Sequence, residues 1–308
     1  MHYSTKKQEA YLNKFYQNGL LKDWLAYFSV YVWEELQFSA KQRNEISKVD
    51  ERELTNKLIR ELARIINEEK IHLPIRLFHS KNEKTNGSDI EIIYAFEENK
   101  NVIFPCQAKR LYVDKSQKNI SKAKYSAFWH KTNNVHEKFQ IKALLDYAYS
   151  LCAYPLYLLY NYSEEESINS LYHEKELLGS TLISAQYIAE QYFNEHFEEN
   201  LTFGHLHPPA KPLHSITEVK EQDMNSFWGN DKKELPVKFY TDAEILKQTG
   251  WVEMNPPADS PPQRFVKSVS INEFMNNSVV INPRIFAPRF RIFITKEPIY
   301  LRKRNFNL

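Results

Sequence analysis

The sequence predicts an α/β (α+β) fold with an αβββαβ core, and three observations lead there. The chain has 308 residues, 42% of them hydrophobic, 26% charged and 14% aromatic, a composition that supports a packed core. Apolar residues recur at helical spacing through residues 6–37 and again through 50–70. After them come three strand-like runs, a helix-period segment and one continuous apolar run, in the order β, β, β, α, β.

Residues 1–48 are expected to be a helical segment, with Tyr11, Leu12, Phe15 and Tyr16 and then Leu20, Leu21, Trp24, Leu25 and Phe28 at helical spacing. The aromatic stretch 24–33 reads as core, although a helix this aromatic could also dock a protein partner or a second copy of the chain. A core unit is expected over 49–165. It opens with a helix that Asp50 can cap, with Glu53 three residues on as the capping partner, and that carries Leu54, Leu58, Leu62, Ile65 and Ile66 on one face. Strands are expected over 73–79, 88–96 and 102–112, a helix over 135–151, and a buried strand over 156–160 after Pro155. Residues 166–308 are expected to be helical near 184–197 and then loop-rich, because 11 of the 14 prolines follow residue 200. A short strand is expected there over 289–295.

Several function classes are excluded by what the sequence lacks. Its six glycines are isolated, and neither GxGxxG nor GxxxxGK[ST] can be written anywhere. A Rossmann dinucleotide site and a P-loop are therefore not expected. There is no GxSxG, and Cys106 and Cys152 fall on expected hydrophobic elements, which argues against a nucleophilic hydrolase. Two cysteines without a CxxC suggest a reducing compartment, and stretch 24–33 is about half of what a bilayer span needs, so a cytoplasmic protein with no membrane partner is expected. His205, His207 and His214 stand close together, but no cysteine or acid lies at ligand spacing and prolines interrupt the run, so zinc is not expected.

Charge is unevenly placed. The formal net charge is +2, yet residues 264–308 carry nine Lys/Arg against two acids, leaving 32 basic and 37 acidic residues elsewhere. A second basic run spans 105–142 and includes Lys109, Arg110, Lys115, Lys118, Lys122, Lys124 and Lys131. Tyr112, Tyr125, Phe128 and Trp129 are interleaved with it, as in a polyanion-binding loop with stacking groups. A solvated loop followed by a charged helix face would read the same way.

The chemistry-bearing residues lie on the second and third strands. Alternation puts Asp89 and Glu91 on one face, and Gln107 and Lys109 on the corresponding face of the next strand. With a turn near Asn99, Asp89 falls opposite Lys109 and Glu91 opposite Gln107, gathering oxygen ligands suited to a hard divalent cation. Cross-strand ion pairing would account for Asp89 and Lys109 without a metal.

An acid on one strand, a [D/E/Q]-x-K tripeptide on the next, and the αβββαβ order around them resemble the PD-(D/E)XK, or restriction-endonuclease-like, nuclease superfamily. More narrowly, Leu54-Thr55, Gly87-Ser88-Asp89, Gln107-Ala108-Lys109-Arg110-Leu111, the helix from Gln140 to Ala148 and Pro155-Leu156-Tyr157 resemble a bacterial family of uncharacterised proteins of that class. Its pattern is E-x-x-x-T, G-[AS]-D, Q-A-K-R-L, Q-I-x-x-L-x-x-[YH]-A and P-x-Y. The likeness covers about residues 50–162.

The resemblance implies a restriction-endonuclease-like fold and Mg²⁺- or Mn²⁺-dependent hydrolysis of phosphodiester bonds in DNA, with RNA left open. It suggests a bacterial source and a role in restriction or anti-phage defence. Carried over residue by residue, it implies Asp89 as the main metal-ligating carboxylate, Gln107 as a side-chain oxygen ligand, Ala108 as a carbonyl ligand, and Lys109 beside the attacking water and the phosphate. Glu51, four residues before Thr55, would complete the metal shell, with Glu53, Glu91 and Gln140 in secondary positions. Arg110, Lys115, Lys118, Lys122, Lys124, Lys131, Arg289, Arg291, Arg302 and Arg304 would hold the nucleic-acid backbone. Gln107 stands where the superfamily more often has an acid, which lowers the negative charge available to a metal. A catalytically inactive relative that binds nucleic acid or a partner protein is the alternative.

Overall fold

A computed structural model describes residues 6–41, 49–67, 71–80, 90–113, 120–125, 128, 131–132, 138–162, 175–192, 201–224, 237–248, 250–254 and 288–296. Two helices, α1 (Lys6–Asn18) and α2 (Leu21–Lys41), turn on Gly19, whose φ of 65° is left-handed. The aromatic stretch of α2 is core: Trp24, Phe28 and Trp33 are buried, and Trp24 stacks on Phe28. Helix α3 (Glu51–Asn67) starts where Asp50 Oδ1 accepts the Glu53 backbone N–H at 2.8 Å, and it buries Leu54, Thr55, Leu58, Ile59, Leu62 and Ile65 along one stripe.

Strands β1 (Ile75–Ser80), β2 (Ile90–Glu97) and β3 (Lys100–Tyr112) follow, then the two-residue strands β4 (Lys124–Tyr125), β5 (Lys131–Thr132) and β6 (Lys138–Phe139). Helix α4 (Gln140–Ser150) leads to β7 (Leu156–Tyr160). Beyond these lie α5 (Lys175–Leu178), β8 (Ser180–Ser184), α6 (Ala185–Tyr192), α7 (Phe203–Leu206), β9 (Lys211–Pro212), α8 (Asp242–Lys247), β10 (Trp251–Glu253) and β11 (Phe290–Ile294). The expected α/β class is that of the structure, while the short strands β4, β5 and β6 stand between β3 and α4, and Lys138 and Phe139, expected in the helix, form β6.

One mixed nine-stranded sheet runs β10-β1-β11-β2-β3-β7-β8-β9, with β4 beside β3. Its parallel pairs are β11 with β2 and β3 with β7. The sheet crosses the expected division at residue 165: four of its strands, β8 to β11, come from the later part of the chain. Strand β11 is inserted between β1 and β2, because both its faces are buried by the same layers that cover its neighbours. Ile92 and Ile292 turn towards Leu21, Leu25, Leu58 and Leu62 of α2 and α3. On the opposite face Ile93, Ile103 and Phe293 meet Ala148 of α4 and Ile245 of α8.

The β2–β3 register differs from the expected one. A tight turn at Glu98-Asn99, with Asn99 left-handed at φ 58°, and an irregularity between Ala95 and Glu97 place Glu91 opposite Pro105 rather than Gln107. A displacement by two residues preserves the face, so Glu91, Gln107 and Lys109 still share one. Cys152, expected on an apolar element, is exposed just after α4 with φ 46°. No helix among the described residues is long and apolar enough to cross a membrane.

Candidate active site at the end of strand β3

Pairing between β2 and β3 reaches Ile90 and Cys106, and β3 continues to Tyr112. Gln107, Ala108 and Lys109 lie just past this point and are all buried, Gln107 and Lys109 being 4% and 5% exposed. Alternation turns Gln107 and Lys109 towards α4 and Ala108 towards α3. The Lys109 ammonium donates to Gln140 Oε1 at 2.6 Å, from the first residue of α4. The acceptor is a neutral amide, and the bond fixes the direction of the ammonium. Gln107 Oε1 is buried and has no hydrogen-bond partner among the described residues. A lone-pair oxygen in that condition costs free energy unless something else occupies it.

Helix α3 brings Glu51 to the edge of the same strand. Its Oε1 accepts the Arg110 backbone N–H at 3.3 Å. Alternate residues of a strand send N–H and C=O to the same edge, so the Ala108 carbonyl leaves β3 on the side from which Glu51 approaches. Thr55 holds this start of α3 to the sheet: its hydroxyl donates to the Glu51 carbonyl at 2.8 Å and lies 3.0 Å from the Tyr160 hydroxyl of β7. Burial raises the Tyr160 pKa, so that hydroxyl stays protonated. Glu53, by contrast, is exposed, and its backbone N–H is taken by Asp50.

Glu91 belongs to a different cluster. It is fully buried, paired with the Arg291 guanidinium through an Nε–Oε1 bond of 2.7 Å, and accepts the Tyr147 hydroxyl at 3.0 Å. Burial first, and then the Glu91 charge, push the Tyr147 pKa well above the usual phenol value. Arg291 also donates to Gln248 Oε1 at 2.5 Å and lies over the Trp251 ring at 4.2 Å. The expectation that Arg291 grips a phosphate backbone is therefore corrected: the side chain is 2% exposed and its charge is spent on Glu91. Tyr147 and this pair were not foreseen from sequence; the spacing of seven residues, two helical turns, between Gln140 and Tyr147 was the signal that could have found Tyr147.

The remaining basic positions are dispersed. The Arg110 guanidinium donates to the Val49 carbonyl and lies 4.3 Å from the Tyr112 ring centroid. Lys122 and Lys124 are exposed beside β3. Arg289 is half-buried, over Phe290 and 3.5 Å from Asn56 Oδ1. Lys131 lies in β5. Asp89, Lys115, Lys118, Arg302 and Arg304 fall outside the described residues. Ile90, which follows Asp89 in the chain, pairs with Cys106, which precedes Gln107.

Among the described residues, no three His, Cys, Asp or Glu side chains gather as a metal group. The donors near the end of β3 are the Glu51 carboxylate and the Ala108 carbonyl at its edge and, on the face turned to α4, the Gln107 amide oxygen that has no partner among the described residues. All are oxygens, the set that a hard divalent cation accepts and soft metals do not prefer. His205 is occupied elsewhere, its Nδ1 accepting the Thr202 N–H at 3.4 Å in the cap of α7, and His207 stacks on Phe203.

A model of a family of unknown function (DUF6615) matches residues 21–297. No curated protein and no solved structure matches the chain.

Proposed function

The chain belongs to that family, and we propose that it is a metal-dependent nuclease that hydrolyses phosphodiester bonds in DNA at the end of β3, within a restriction-endonuclease-like fold. The observation that carries this reading is the buried Lys109 ammonium, oriented by Gln140, beside the unpartnered Oε1 of Gln107. An ammonium and an unused oxygen ligand on one strand are what phosphoryl chemistry needs and what a purely structural patch has no use for.

Glu51, Gln107, the Ala108 carbonyl and Asp89 would hold Mg²⁺ or Mn²⁺. When bound, the ion supplies a water of lowered pKa and positive charge at the phosphate. Lys109 then faces the growing negative charge of the phosphate oxygens, and Gln140 fixes the direction in which the ammonium points. Glu51 anchors its carboxylate to β3 through the Arg110 N–H, so the donor set moves with the strand. Restriction of foreign DNA or phage defence is the biological setting that the resemblance suggests.

A second reading, a catalytically inactive nucleic-acid- or partner-binding protein, is favoured by one feature: the second ligand is the neutral Gln107, which attracts a cation less than a carboxylate would. Plasmid incubated with Mg²⁺ or Mn²⁺ separates the two. Cleavage by the wild type, with a loss of about 100-fold or more in Asp89→Ala and Lys109→Ala, supports the nuclease. Cleavage at wild-type rates by both variants, or none by the folded wild type, overturns it.

A further inference from the structure

The basic stretch 105–142 carries five aromatic residues, Tyr112, Tyr125, Phe128, Trp129 and Phe139, and burial sorts three of them. Tyr125 and Phe128 are fully buried, packed edge to face at 6.0 Å, with Phe128 against Tyr157 at 4.7 Å. Their role is core packing. Tyr112, the last residue of β3, is 41% exposed. The Arg110 guanidinium lies over its ring, 4.3 Å from the centroid, and is itself tied to the Val49 carbonyl. Lys124 is the cross-strand partner of Tyr112, Lys122 is two residues before it, and both are exposed. No other ring or cation among the described residues stacks on Tyr112.

We infer that Tyr112 is a base-stacking platform and that the ligand of this surface is a single-stranded or locally unpaired nucleic acid. A single exposed aromatic ring is ordinary on a protein surface. This one differs in being backed by an anchored guanidinium and flanked by two exposed lysines, at the end of the strand that carries Gln107 and Lys109. The arrangement splits two tasks. Lysines contact phosphates whether the strand is paired or not. A ring offered face-on can stack only on a base whose own face is uncovered, which a continuous duplex does not provide. The Arg110 charge behind the ring adds to its attraction for a base. Arg110 and Tyr112, being two residues apart, share the face of β3 from which Glu51 approaches.

This inference rests on the nuclease reading for its setting, but its test does not use cleavage. The full chain is titrated in EDTA against fluorescent oligo(dT), oligo(U) and a blunt hairpin duplex of matched length. Tyr112→Ala is expected to weaken binding of at least one of the single strands about ten-fold while changing the duplex by less than about two-fold. Tyr112→Phe is expected to retain wild-type affinity, and Lys122→Ala/Lys124→Ala to weaken every ligand it binds and to reduce the salt slope by about 1 to 2. The arm weakened by Tyr112→Ala assigns the strand to DNA, RNA or both. Unchanged single-strand binding by Tyr112→Ala with wild-type urea stability overturns the inference. So do an equal loss on duplex and single strands, and a wild type that binds no single strand. Absence of cleavage with Mg²⁺ alongside a ring-dependent single-strand preference would remove the nuclease and leave the platform.

Discussion

Two polar clusters lie on the same face of the same sheet, and they are finished differently. Around Glu91 every charge is answered: the carboxylate receives Arg291 and Tyr147, and Arg291 is further held by Gln248 and Trp251. Around Lys109 one acceptor is left over: the ammonium donates to the Gln140 amide, and the neighbouring Gln107 oxygen has no partner among the described residues. Helix α4 serves both, with Tyr147 on one and Gln140 on the other. A buried charge that is paired and hydrogen-bonded serves the fold, whereas a buried acceptor left without a donor lowers stability and persists when something outside the chain fills it. The difference separates a structural pair from a candidate site in residues that look alike in the sequence.

The most severe way to break the comparison is to open the closed cluster. Arg291→Met leaves Glu91 charged, buried and without its cation, and is expected to cost about 3–5 kcal/mol. The urea midpoint reads this, and the double variant Glu91→Gln/Arg291→Met is expected to recover much of the loss, because both charges are then gone. A midpoint within about 0.5 kcal/mol of wild type for Arg291→Met would mean the pair carries no structural load.

The open cluster should respond in the opposite direction. Gln107→Met removes an acceptor without a partner among the described residues, so its stability in EDTA is expected to match the wild type or exceed it by about 1 kcal/mol. Its distinguishing feature is the response to metal. Wild-type Tm is expected to rise with Mg²⁺ or Mn²⁺ as binding to the folded state pulls the equilibrium, and Gln107→Met is expected to lose that rise. A large loss of stability in EDTA would show that Gln107 is paired within the fold, which would place it with Glu91.

Much of this arrangement was legible because period and parity are local. Helical spacing located α1 to α4, Asp50 marked the start of α3, and alternation along β2 and β3 assigned Glu91, Gln107 and Lys109 to one face. Register was not legible, because it depends on the turn at Glu98-Asn99 and the irregularity before Glu97, each of which moves the pairing without changing the composition of either strand. The partner of Glu91 was hidden for a different reason. Arg291 lies 200 residues away in the chain, and a lone arginine in a basic segment reads as a surface charge until β11 is seen between β1 and β2. Tyr112 was one of five aromatics in the basic stretch until burial removed Tyr125 and Phe128.

The smallest effect extends the comparison to a carboxylate at the surface. Glu244 is exposed, yet it closes a capping box at the start of α8, accepting the Thr241 N–H at 2.7 Å while its own N–H donates to Thr241 Oγ1. That backbone bond, followed by the bond from Lys238, lowers its pKa to about 2. The folded-state value lies below the ordinary 4.5, so the contribution to stability is present above 4.5 and is lost as pH falls towards 2. Wild type is expected to exceed Glu244→Ala slightly in Tm near neutral pH, and the gap to close through that acid window. A gap that persists below it would show that the cap acts through shape and packing. Glu91, buried against Arg291, is tested through that guanidinium partner instead, so the surface carboxylate and the buried one are probed by separate routes.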